Sequence, residues 1–216
     1  MDSINERTII FVAGLHGNEQ APVKALKDNS IEFILGNPKA YQENKRFTEY
    51  DLNAAFGLES NSYEKSRAEE ILKELDRDSL VVDFHTTGAE TEPFAIVVDE
   101  KMIPLAARTG LKHIVIMRLN IKEGHALINY RDGISVESGR HDAKTSYETT
   151  LKIIKNIRGS KTYPAQVYEV YGRITKPGTY INFQEHSDGF IPVLAGEPSY
   201  DFYGLKAKLF DRSSIF

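Results

Sequence analysis

A chain of 216 residues is the length of one domain, or of one domain with a small appendage, and it can bury a sizeable core without disulfide or metal staples. A formal net charge of -4 gives no electrostatic footprint for nucleic acid, and the absence of cysteine removes disulfide frameworks, thiol catalysis and cysteine metal sites together, a composition that suits a cytoplasmic location. No stretch approaches the ~18 uninterrupted apolar residues of a membrane span, and residues 1–7 lack the basic-then-apolar order of a secretory signal.

In chain order, residues 7–13 read as a strand whose apolar run is Ile9-Ile10-Phe11-Val12-Ala13. Residues 21–27 read as a short helix, with Pro22 tolerable in its first turn. A second strand over 31–35 is stopped by Gly36-Asn37-Pro38, a turn signal. Residues 39–57 show no clean period, and long irregular segments of compact domains are often functional. Residues 62–75 form a helix that Ser62 can cap, with Tyr63, Ile71, Leu72 and Leu75 on one face. Strands follow over 80–85 and 94–98, a short helix over 101–109, strands over 113–117 and 134–137, and a helix over 144–158.

Gly159-Ser160-Lys161 reads as a linker, and the grammar changes beyond it. Residues 166–171 alternate, Pro177-Gly178 and Asp188-Gly189 mark turns, and 190–194 and 205–210 suit short strands. The expectation is an α/β domain over 1–159, a layered mixed sheet flanked by helices, with a small all-β module over 160–216 that depends on it for stability.

The chemistry concentrates at strand ends. In Gly14-Leu15-His16-Gly17-Asn18-Glu19, a spacing of three turns His16 and Glu19 the same way on a tight turn or first helical turn. The same spacing also occurs on solvated helix faces, so context has to decide. Here two glycines permit a tight turn and an apolar strand precedes the pair. His85 closes another apolar strand, with Asp83 on the same strand face. With His16 and Glu19 it completes a His2Glu set, the kind of metal site that leaves a position open for water. Asp83 can then fix the tautomer of His85. Glu137 ends a strand and reads either as a general base or as a solvated terminal glutamate.

Arg46, Asp51 and Asn53 lie in the irregular segment and, on residue type alone, read as exposed or as making local loop bonds. His113 reads as structural, His125 as a loop residue able to reach a site, and His141 and His186 as exposed. Tyr168 and Tyr171 read as packing, Pro38 and Pro164 as turn-shaping.

Taken in order, the HGNE block, Gly36-Asn37-Pro38-Lys39-Ala40, Arg46 with Asp51-Leu52-Asn53, Asp83-Phe84-His85 and Glu137-Ser138-Gly139 resemble the succinylglutamate desuccinylase/aspartoacylase family of zinc amidohydrolases, relatives of the zinc carboxypeptidases. The resemblance implies one zinc ion per chain held by His16, Glu19 and His85, with Glu137 as the catalytic glutamate. It implies that Arg46 polarises the scissile carbonyl, that Asn53 contacts a substrate carboxylate, and that the substrate is a small N-acyl amino acid. Nucleic acid and membrane are not expected partners.

One departure stands out. Where the family reads Asp-Leu-Asn-Arg, this chain has Asp51-Leu52-Asn53-Ala54, and alanine cannot form the bidentate pair an arginine would. Arg131 or Arg140 could substitute from another loop. The chain is also short for the family, and the tyrosine that some members supply from their C-terminal region has no evident counterpart. Two alternatives remain at this level: a carboxypeptidase-like peptidase, and a non-catalytic member that binds an acyl-amino acid.

Overall fold

The computed structural model describes residues 4, 6–59, 62–119, 121–141 and 143–211. Among them runs a nine-stranded mixed sheet with helices on both faces. Its strands are β1 (Ile9–Ala13), β2 (Ile34–Leu35), β3 (Leu80–Thr87), β4 (Phe94–Val97), β5 (His113–Met117), β6 (Gly133–Arg140), β7 (Gln166–Ile174), β8 (Ile191–Val193) and β9 (Gly204–Leu209), in the spatial order 2-1-3-6-4-5-7-9-8. Strands β2, β1, β3 and β6 run parallel; β4 opposes β6 and starts a second parallel set with β5 and β7. All eight residues of β3 are buried, as a central parallel strand covered on both faces requires.

The two-residue period of the strands decides what each face carries. Leu80, Val82 and Phe84 of β3 join Phe11, Ile134 and Val136 under α1 (Gln20–Asp28), α4 (Ile103–Arg108) and α6 (Lys144–Arg158). Val81, Asp83 and His85 therefore face the other way. There Val81 packs with Val12, Leu15 and Phe56 beneath α3 (Tyr63–Glu74) and α5 (Leu127–Tyr130). Asp83 and His85 thus sit on the face opposite α1, α4 and α6.

Several elements differ from the sequence reading. The 31–35 strand shrinks to Ile34–Leu35, an edge strand paired only with β1. The irregular 39–57 segment contains α2 (Pro38–Glu43) and a 3-10 turn over Leu52–Ala54. Asn37-Pro38, read as a stop, starts that helix. The Asn37 side chain accepts from Ala40 N at 3.0 Å, and Pro38 occupies the first turn, where its missing N–H costs nothing. The same dipeptide signals a turn or a helix start, and only the following residues separate the two.

The segment after Arg158 is all-β among its described residues, and its strands continue the sheet. Strand β7 pairs in parallel with β5, β9 lies antiparallel to β7, and β8 closes the edge. Tyr168, Val170, Val193 and Leu205 share a core cluster with Phe94 and Val115 of the preceding strands.

Candidate metal centre and cavity

The HGNE block leaves β1 through Gly14, whose φ of +74° is the left-handed backbone that glycine adopts without strain. Gly17 is required for a different reason: a Cβ there would lie 2.0 Å from the Ala40 carbonyl carbon of α2. That close approach folds the turn back so that Glu19, immediately before α1, returns to His16, with Glu19 N donating to the His16 carbonyl at 3.2 Å. Gly17→Ala is expected to push α2 away at a cost of about 2 kcal/mol, within the range for overpacked cores. Thermal melting would register a fall of roughly 4–8 °C for a chain of this size.

Glu19 sits between two imidazoles. Its Oε1 lies 2.7 Å from His16 Nδ1 and its Oε2 3.0 Å from His85 Nδ1. The outer nitrogens each meet another carboxylate: His16 Nε2 is 2.9 Å from Asp51 Oδ1, and His85 Nε2 is 2.6 Å from Asp83 Oδ2. Burial alone would lower both imidazole pKa values, but these carboxylates raise them, His85 well above its ordinary value. Burial works against ionisation of Glu19, yet the two imidazoles hold it well below the usual carboxylate range.

Glu137 is brought in by register. In the parallel β3–β6 pair, His85 stands beside Glu137 and Asp83 beside Ser135. Burial raises the Glu137 carboxyl to about 7; His85 opposes the rise, while Glu19 and Glu197 add to it. Its Oε2 is buried without a hydrogen-bond partner.

These groups line a cavity of about 360 Å³, within the range of small-molecule sites. Arg46 and Asn53 line it too, so all six sequence candidates, His16, Glu19, Arg46, Asn53, His85 and Glu137, share one space. Asp51 binds the group together. Besides His16, it accepts from Arg46 at 3.3 Å, from Lys122 at 2.8 Å and from Asn53 N at 2.9 Å. Arg131 and Arg140 do not line the cavity, and Arg131 instead donates to the Tyr130 and Leu72 carbonyls. Among the described residues, the lysine and arginine side chains that line it alongside Arg46 are Arg118 and Lys122.

Two further residues come from the C-terminal segment. Glu197 reaches Thr87 Oγ1 at 2.6 Å and Gly88 N at 2.9 Å, which ties its turn to the end of the strand that carries His85. Tyr200, three residues on, lines the cavity, and burial with Glu137 and Glu197 nearby raises its phenol pKa. The GEPSY sequence was the available signal, but nothing before the fold connects it to residue 87.

The other histidines divide. His113 is buried and stacked on Phe183 at 4.0 Å. His125 bonds the Phe56 carbonyl and does not line the cavity. His141, expected to be exposed, is half-buried with Nδ1 2.8 Å from the hydroxyl of Thr86, which itself lines the cavity. His186, also expected to be exposed, stacks on Phe190 at 4.8 Å.

The residues fit a metal ion. Ligand atoms of His16, Glu19 and His85 all lie within 4.8 Å of one another, the donor set of a His2Glu centre. Both imidazoles are backed by carboxylates, the arrangement that fixes the tautomer and orientation of metal-binding histidines. The carboxylates of Glu19, Asp51 and Asp83 around the two imidazoles make a cluster that attracts positive charge.

Fold and cluster together define an α/β protein with a candidate single-metal centre opening onto a small-molecule cavity. A model of the family described as the succinylglutamate desuccinylase/aspartoacylase catalytic domain matches residues 5–131. The chain belongs to the succinylglutamate desuccinylase/aspartoacylase family, a family of amidohydrolases. It is 38% identical over 104 residues to a protein named "Probable aspartoacylase" from Prochlorococcus marinus (strain AS9601), covering 38% of this chain and 35% of that relative. It is 32% identical over 113 residues to the succinylglutamate desuccinylase of Pseudomonas paraeruginosa (strain DSM 24068 / PA7), covering 41% and 34%. The chain thus spans about a third of the length of these curated relatives. In fold it resembles murine aminoacylase 3, with a TM-score of 0.73 at 15% identity over 94% of this chain and 95% of that one. The succinylglutamate desuccinylase of Chromobacterium violaceum gives 0.70 at 16% identity over 95% and 85%. Among the described residues, no helix is long and apolar enough to cross a membrane.

Proposed function

We propose that the chain is a zinc-dependent amidohydrolase that cleaves a small N-acyl amino acid, holding one zinc ion through His16, Glu19 and His85. The observation that carries the reading is Glu137: a carboxylate with one buried, unpartnered oxygen, placed by strand register beside His85. A structural glutamate would be satisfied by hydrogen bonds; this one is left to meet a substrate or water. The family match supports the reaction class.

When bound, the metal would supply a Lewis acid that polarises the amide carbonyl and makes water more acidic. Glu137 takes a proton from the attacking water. The Arg46 guanidinium, oriented by Asp51, donates to the carbonyl oxygen as negative charge gathers there. Glu137 then delivers the proton to the departing amine nitrogen, so the same carboxyl serves as base and acid. Asn53 lies beside this path. Its Oδ1 accepts from Leu127 N at 3.3 Å, which aims the Nδ2 amide as a donor to a substrate carboxylate. The cysteine-free composition suits work in the cytoplasm.

The first test is elemental mass spectrometry of the purified protein beside a folded His85→Ala variant. About one zinc per chain, lost in the variant, is the expected outcome. Absence of metal from both, even after reconstitution with zinc, would sink the reading.

A further inference from the structure

The cavity carries a second chemistry beside the histidine–carboxylate cluster. Register places Ile96 of β4 beside Ser135 of β6 and beside Val115 of β5, so Ile96, Val115 and Met117 share the sheet face of Glu137. Ile96 and Met117 line the cavity with Leu119, Ile121, Ile128 and Leu194. Ile96, Met117, Leu119 and Ile121 are only half-buried, although each packs at its back against the third core cluster. One wall of the cavity is therefore apolar and still open to contact.

The charges set a second limit. Of the lysine and arginine side chains that line the cavity among the described residues, Arg118 is paired with both Glu100 and Glu169. Arg46 and Lys122 share one carboxylate, Asp51. With Arg46 turned to the reacting carbonyl, Lys122 is the cation left for one substrate carboxylate. A second carboxylate would lie against the apolar wall or compete with Glu100 and Glu169 for Arg118. Burying a charge without a partner is strongly unfavourable.

We propose that the cavity takes N-acyl amino acids with one carboxylate and one large apolar group, branched aliphatic or aromatic. The apolar group lies on the wall of Ile96, Met117, Leu119 and Ile121, and the carboxylate meets Lys122 and the Asn53 amide. The proposal rests on the amidohydrolase reading and narrows its substrate class. A dicarboxylate such as an N-acyl aspartate is a poor substrate on this account.

The test compares kcat/KM of the zinc-loaded protein for N-acetyl-L-leucine and N-acetyl-L-phenylalanine with values for N-acetyl-L-aspartate and N-succinyl-L-glutamate. Calorimetric binding of the same four compounds runs alongside. The apolar pair should be favoured by about 10–100-fold, the scale on which apolar pockets discriminate. Their binding should show a negative heat-capacity change. Ile121→Lys, which adds a cation to the wall, should cut the preference by about 10-fold. Equal or better turnover of N-acetyl-L-aspartate and N-succinyl-L-glutamate by the wild-type protein would overturn the proposal and leave the amidohydrolase reading standing. Selective binding of the apolar pair without turnover would do the reverse. Neither binding nor turnover of any of the four would overturn both. The wild-type comparison decides the matter even if Ile121→Lys fails to fold.

Discussion

Glu137→Gln is expected to lower kcat by about 10²–10⁴-fold, the usual contribution of a positioned acid–base group. The substitution keeps the shape of the side chain and removes its ability to take a proton. The Glu137 carboxyl is raised to about 7 by burial, so its negative charge is an uncomfortable one for the fold to hold. Its Oε2 makes no hydrogen bond that the glutamine would break. The variant should therefore melt at the wild-type temperature or slightly above, and should keep its metal, since His16, Glu19 and His85 are untouched. Loss of an interaction made only in the transition state lowers kcat and kcat/KM together, and that pattern separates it from weakened substrate binding. Steady-state kinetics, elemental mass spectrometry and a thermal melt on one preparation give all three readings. Wild-type turnover in a folded, metal-loaded variant would remove Glu137 from the mechanism.

The three residues of the candidate metal cluster were legible because each sits at or just past the end of an apolar strand. Their chemistry is visible in residue type and their position in the local pattern. Asp51 was visible yet undervalued. Its four partners, His16, Arg46, Asn53 and Lys122, are what make it central, and Lys122 lies 71 positions away in the chain. The link from Glu197 to Thr87 spans 110 positions and exists only because β7 joins the sheet beside β5, carrying the C-terminal segment back to the cavity. Strand order depends on which buried faces pair across the whole chain, and no local period encodes it. Arg131 and Arg140, expected as possible substitutes from another loop for an arginine at position 54, do not line the cavity for the same reason. The helix over 62–75 was read from its apolar stripe, which is correct for Ile71 and Leu75, but the stripe gave no hint that Glu64 on that helix is fully buried.

That buried glutamate is the basis of the second large effect. Glu64→Gln is expected to destabilise the protein by about 3 kcal/mol, because several hydrogen bonds to a charged acceptor are lost or inverted together. Glu64 Oε1 accepts from Thr48 N at 2.7 Å, Thr48 Oγ1 at 2.6 Å and Asn37 Nδ2 at 3.1 Å; Oε2 accepts from Glu49 N and Tyr50 N, both at 3.2 Å. A glutamine turns one of these oxygens into an NH2 group that faces donors. The residue thus holds the 48–50 backbone, with Arg46 just before it and Asp51 just after. Kinetic damage should follow the stability loss, as a rise in KM from misplaced Asn53 and a fall in kcat from misplaced Arg46, while the metal stays bound.

The pH dependence gives an independent check. Burial would raise the Glu64 carboxyl, but the bonds from Thr48, Asn37 and Tyr50 overcome it and depress the pKa below its ordinary 4.5. A carboxylate depressed in the folded state contributes its full stability above the unfolded value, and that contribution drains away as pH falls through the folded one. The wild-type protein should therefore lose stability steeply as pH drops below about 4.5, and the Glu64→Gln variant should lose less over the same interval. Urea denaturation at several pH values measures both slopes. Parallel slopes in the two proteins would mean that the Glu64 charge is not what holds the Arg46–Asp51 loop over the cavity.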